Sequence, residues 1–142
     1  MLVIDANLGL ALALPLPYSD HMLRRMESWG AGREQILIPS LWEYEVVSGL
    51  RRACAVGLVS ENAAIQALDA LLELGFLVIQ AGPDTHRRAL GLAGRLGQAR
   101  AYDAQYLALA EISGCEFWTA DQRLVQRCQQ LGLAWVHWIG EE

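Results

Sequence analysis

The 142-residue chain contains no lysine; all 11 of its basic residues are arginine. That absence removes two kinds of chemistry at once. A P-loop needs its lysine to reach the phosphates, and a Schiff-base enzyme needs an amine. Cysteine is scarce: Cys54, Cys115 and Cys128 stand far apart with no C-x-x-C pair. They read as reduced thiols filling a core in a cytoplasmic protein. His21, His86 and His137 are isolated too, which argues against a His/Cys zinc site. There is no excess of positive charge, the formal net charge being -5, whereas nucleic-acid binders usually carry a basic footprint. Nor is there a membrane-spanning run. Leu2 to Leu16 is apolar, but it has no basic leader, and Asp5 and Asn7 interrupt it. It reads as a strand followed by a buried helix.

What is present is a 54% hydrophobic chain of a length suited to one domain over residues 1–142 with a single core. Apolar strand-like runs occur at Leu2–Ile4, Gln35–Ile38, Phe76–Ile79, Cys115–Trp118 and Ala134–Ile139. Helical segments with start and stop residues lie between them. Ser19-Asp20, Ser40, Ser60 and Gly82-Pro83-Asp84 open helices, and Gly75, Gly114 and Gly132 close them. Strands alternating with helices predict βαβ units, a parallel sheet and a three-layer α/β/α sandwich. The nearly all-apolar strands fit a sheet buried on both faces. The helix Glu61–Leu74 is apolar nearly all round, which predicts burial inside the fold or against a second copy in a homodimer.

Four acids stand where this chain turns over. Asp5 follows the first strand, Asp103 falls in the first turn of a helix, and Asp121 opens the last helix. Each has an ordinary explanation as a helix cap or a partner of the helix dipole. For the fourth there are two candidates. Ser40 and Glu43 have the spacing of a capping box, which gives Glu43 a structural task and leaves Glu45 as the acid without one. Gly49, one turn beyond, would leave room beside Glu45. Asn7, two residues after Asp5, adds an oxygen donor on the same face of an extended segment. Thr119 is placed to donate to an acid or a ligand. Open α/β sheets bind ligands at the carboxyl edge of their strands. Carboxylates gathered there repel one another, and a cation relieves the repulsion. An all-oxygen donor set without His or Cys favours Mg²⁺ or Mn²⁺.

The stretches LVIDAN, PSLWEYEVVSGLRRA, AYDAQYLALAE and FWTADQRL together resemble the PIN-domain ribonucleases, in particular the VapC-like toxins of prokaryotic toxin–antitoxin pairs. The likeness covers essentially the whole chain. It implies a five-stranded parallel sheet of order 3-2-1-4-5, with Asp5, Glu45, Asp103 and Asp121 as catalytic and metal-binding acids and Thr119 in a supporting T-x-D position. Asn7 departs from the family, where many members carry Thr or Ser. The resemblance implies hydrolysis of RNA phosphodiester bonds, an antitoxin protein as partner, and Asp5 and Asp103 as holders of the principal metal. Glu45 and Asp121 would complete the site or orient water. Two phosphate chemistries compete poorly. Haloacid dehalogenase phosphatases need an Asp where Asn7 stands, and they share with receiver domains a need for lysine. The remaining alternative keeps the fold without the chemistry: a partner- or RNA-binding module whose acids only cap helices.

Overall fold

The computed structural model describes residues 1–141. Five short strands, β1 (Leu2–Ile4), β2 (Ile36–Pro39), β3 (Leu77–Ile79), β4 (Glu116–Thr119) and β5 (Val136–Trp138), form one sheet. Its order is β3-β2-β1-β4-β5 and every pairing is parallel. Val3 sits level with Leu37 on one side and Phe117 on the other. β1 is therefore enclosed on both sides, and all three of its side chains are buried. Strand bounds fall within about two residues of the apolar runs, as expected when hydrophobic length rather than capping marks a strand.

Seven helices flank the sheet in a three-layer α/β/α arrangement: α1 (Ala6–Ala11), α2 (Ser19–Ala31), α3 (Ser40–Ala55), α4 (Glu61–Leu72), α5 (Pro83–Arg95), α6 (Tyr102–Ser113) and α7 (Gln122–Gln130). α6 packs on β1, β2 and β4, and α5 lies along α6. The core gathers Ile4, Leu8, Trp42, Tyr106, Leu107 and Phe117, with the Tyr106 ring stacked 6.0 Å from Phe117. Gly114 closes α6 in the left-handed conformation at φ 63°, a backbone state that costs other residues.

Two expectations are corrected and one is narrowed. β3 is an exposed edge strand, with Leu77 and Val78 each 43% exposed, so apolar composition did not mean burial on both faces. Only Ala64 and Leu71 of α4 are buried, while Ile65 and Leu72 face solvent, so of the two kinds of burial expected the one inside the fold is not met. Small alanines there satisfy an inward contact without burying the larger apolar residues. The capping box is not formed either. Pro39 is the residue preceding α3, no side chain caps that end, and Ser40 is already helical.

One helix contact sets the geometry of the site to come. α1 and α3 approach through two glycines. A Cβ on Gly9 would run into the indole of Trp42, and a Cβ on Gly49 would run into the side chain of Leu10. Gly49 thus lets two helices close up. The Trp42 Nε1–H also donates to the Asp5 carbonyl at 3.1 Å, tying α3 to the start of α1. Alanine is intrinsically the better helix former by about 1 kcal/mol. Gly9→Ala is nonetheless expected to destabilise the protein by roughly 1–3 kcal/mol, because the rigid indole cannot yield without moving α3. Chemical denaturation measures this, and a stabilised Gly9→Ala protein would contradict the contact.

Candidate active site

Asp5 leaves β1 and becomes the N-cap of α1. Its Oδ1 accepts from the Leu8 amide at 2.9 Å and its Oδ2 accepts from the Thr119 hydroxyl at 2.6 Å. Only 9% of the residue is exposed. Thr119, fully buried at the end of β4, also accepts from the Asp121 amide at 3.0 Å. A single hydroxyl thereby links the acid after β1 to the backbone of the acid after β4. Both flank the gap between β1 and β4 where the order of connection reverses, the usual ligand site of such sheets.

Glu45 lies in the second turn of α3 and is half-buried. Its Oε1 accepts from the Tyr106 hydroxyl at 2.6 Å, across 61 positions of sequence. Asp103, in the first turn of α6, accepts from the Gln98 side-chain amide at 3.2 Å. Asp5, Asn7, Glu45, Ser48, Arg52, Asp103 and Tyr106 line one cavity of about 270 Å³. Glu43 is not on its wall. Asp121 is not on the wall either: it is the N-cap of α7, with Oδ1 on the Leu124 amide at 3.0 Å. The cap explanations for Asp5 and Asp121 are therefore both true, and each uses only one carboxylate oxygen. Asn7 lines the cavity from the first turn of a helix, not from the extended segment anticipated for it.

Burial raises the pKa of all three cavity acids. Asp5 is pushed up to about 7, chiefly because its charge is desolvated; the Thr119 and Leu8 hydrogen bonds oppose this, and Asp103 and Glu45 add to it by repulsion. Glu45 is raised by desolvation and by Asp103, against the Tyr106 hydrogen bond. Asp103 is raised by desolvation and by the charge of Asp121, against Gln98. Asp121 therefore belongs to the same electrostatic group although it stands off the cavity wall.

No three His, Cys, Asp or Glu side chains among the described residues are near enough together to hold a metal ion in their present rotamers. The donor chemistry nevertheless fits a hard divalent cation. The acids on the wall offer only oxygen, no His or Cys reaches it, and a positive charge would relieve the repulsion that lifts them. Tyr106, Gln98 and Trp42 were not singled out as site residues from sequence. Tyr106 alone left a signal, since a phenol on the inner side of an apolar helix must find a partner.

The lifted Asp5 makes folding stability depend on pH. The native state holds this proton up to about pH 7, whereas the unfolded chain releases it near 3.8. Between those values the native state binds more protons, so the contribution of Asp5 to stability falls as pH rises. The full difference is roughly 4 kcal/mol. With chelator present, the wild type is expected to lose a few kcal/mol more than Asp5→Asn between pH 5 and pH 8 in urea denaturation. Parallel pH slopes for the two proteins would contradict it.

Residues 2–129 match the model of the PIN domain family. Ribonuclease VapC9 of Mycobacterium tuberculosis is 32% identical over 131 residues, covering 87% of this chain and 88% of that protein. Ribonuclease VapC3 of Pyrobaculum aerophilum is 30% identical over 127 residues, covering 89% and 93%. Among solved structures, one from Pyrobaculum aerophilum superposes with a TM-score of 0.67 at 28% identity, over 89% of this chain and 78% of that one. A chain of a toxin–antitoxin complex from Klebsiella pneumoniae shares the fold over the full length of both chains, with a TM-score of 0.70 at 19% identity. The sheet order, the span of the family match and these relatives agree: the chain belongs to the PIN-domain family, in its VapC-like group.

Proposed function

We propose that the chain is a divalent-metal-dependent endoribonuclease and the toxin of a toxin–antitoxin pair. The observation that carries the reading is the cavity in which Asp5, Glu45 and Asp103 are brought together and lifted by burial and mutual repulsion. Perturbed acids in a cleft mark functional sites more often than structural ones. Kinship with VapC ribonucleases supplies the substrate class, RNA, and the expectation of an antitoxin partner. The reading takes residues 1–142 as one PIN-like domain in a cytoplasmic homodimer. Support for the dimer comes from Tyr44, Val47, Ile65 and Leu72, exposed apolar residues on α3 and α4. Among the described residues no helix is long and apolar enough to cross a membrane.

Asp5 and Asp103 would hold Mg²⁺ or Mn²⁺, with Glu45 and Asp121 completing the set. Bound there, the cation supplies Lewis acidity toward water and the phosphate oxygens. The chain's own residues supply the rest. Thr119 and the Leu8 amide fix Asp5 so that its carboxylate cannot rotate away from the cavity. Tyr106 holds one oxygen of Glu45 and leaves the other free to orient a water and take its proton. The water oxygen then bonds to phosphorus, one ester P–O bond breaks, and the leaving oxygen departs with its electron pair. The N-terminal turns of α1 and α6 direct their positive dipole ends toward the anionic centre.

The measurement is thermal unfolding against Mn²⁺, paired with cleavage of structured RNAs. Mn²⁺ is expected to raise the Tm of the wild type, the shift growing with concentration as linkage requires, and to leave Asp103→Asn nearly unmoved. Glu45→Gln should lose RNA cleavage by about a hundredfold or more, while Glu43→Gln keeps it. A wild type whose Tm ignores Mn²⁺ and that cuts no RNA would favour a non-catalytic binding module, and equal activity in both glutamine variants would contradict the role given to Glu45.

A further inference from the structure

Among the described residues the cavity has one cation on its wall, Arg52, and the arrangement of acids does not account for it. Glu45, Ser48, Gly49 and Arg52 all line the cavity from α3. Their spacing, three, four and seven residues on from Glu45, places them along one face of that helix. Arg52 lies about 10 Å further along the axis than Glu45, but helical side chains lean toward the N-terminus, back over Ser48 and Gly49. Gly49 has no side chain to stand in the way.

Arg52 is also uncommitted. Arg51 pairs with Glu61 at 3.7 Å, Arg87 with Asp84 at 2.7 Å and Arg88 with Glu111 at 3.0 Å. Arg25 lies over the Trp118 ring at 4.4 Å. Arg52 is exposed and forms no ion pair among the described residues, despite an acidic cavity beside it. The groups that hydrogen-bond the cavity acids are Thr119, Leu8, Tyr106 and Gln98, and Arg52 is not among them. A guanidinium at the mouth of an anionic cavity, turned to none of its carboxylates, suits an anion that arrives with the substrate.

We propose that Arg52, with the Ser48 hydroxyl beside it, forms a phosphate-binding subsite that holds the RNA backbone next to the scissile bond. The proposal rests on the ribonuclease reading and adds the element that a net charge of -5 left missing: a local cation where the strand must lie. A planar guanidinium offers two parallel donors to a phosphate, and serine adds a third. The ordinary alternative is that Arg52 only complements the dipole at the last turn of α3. Arg51, the residue before it, sits off the cavity wall of the acids and serves as the control.

The test measures binding of a fluorescent, single-stranded oligoribonucleotide in excess chelator, which withholds the cation that hydrolysis needs, and steady-state cleavage of the same RNA with Mg²⁺. Arg52→Ala should weaken binding and raise KM by roughly ten- to a hundredfold, with a smaller change in kcat. The slope of log affinity against log salt should become shallower by about 0.7, the value for one phosphate contact on a single strand. Arg52→Lys should recover part of the loss, Arg51→Ala should match the wild type, and the Tm response to Mn²⁺ should persist in Arg52→Ala. Equal affinity and salt slope in Arg52→Ala and the wild type would overturn the subsite, as would an equal loss in Arg51→Ala. A wild type that binds RNA through Arg52 yet never cleaves it would retain the subsite and sink the ribonuclease reading instead.

Discussion

The carboxylate of Asp5 is the constraint around which the rest of the structure is arranged. It is buried at the end of the central strand, held by the Leu8 amide and the Thr119 hydroxyl, and pushed up to about 7. Burying an acid in this way costs stability unless hydrogen bonds or a counter-charge offset the lost water. Two hydrogen bonds offset part of the cost here. The repulsion from Glu45 and Asp103 adds to it, and a core built on Ile4, Leu8, Trp42, Tyr106 and Phe117 carries the deficit. Local electrostatic conflict kept in place by a well-packed surround is what a functional site looks like in physical terms.

The conflict is held in register by backbone contacts as much as by side chains. Gly9 against Trp42 and Gly49 against Leu10 let α1 and α3 close on each other, which fixes the distance between Asp5 and Glu45. Trp42 contributes twice, as the surface on which Gly9 rests and as the donor to the Asp5 carbonyl. Tyr106 reaches from α6 to Glu45 on α3, so the helix that presents Asp103 also restrains the second acid. Thr119 completes the set by joining the Asp5 carboxylate to the Asp121 amide. The four acids are thus one mechanical unit, although Asp121 joins the group through its charge and backbone without touching the cavity wall.

The order of elements and the place of each acid were legible because strand length, helix punctuation and turn residues act locally. Ser60 does cap α4, its hydroxyl accepting from the Ala63 amide at 3.1 Å, and Gly114 does end α6. What escaped is long-range or depends on a partner surface. The Tyr106–Glu45 bond spans 61 positions, and no local pattern encodes it. The exposure of β3 depends on its being the last strand of the sheet, which its apolar composition does not reveal. The spacing of Ser40 and Glu43 looked like a capping box, yet Pro39 precedes the helix and Ser40 lies inside it. Gly49 does line the cavity beside Glu45, but its close approach to Leu10 on another helix left no local pattern.

The central claim is that these acids form a metal-dependent centre for breaking RNA. Cleavage of a panel of structured RNAs by the wild type and Asp5→Asn, each with Mg²⁺ and again with excess chelator, tests it most directly. The account predicts discrete cuts by the wild type that chelation abolishes, and none by Asp5→Asn, which keeps the circular-dichroism spectrum of the folded protein. Undiminished cleavage by Asp5→Asn, or wild-type cleavage indifferent to chelator, would contradict it.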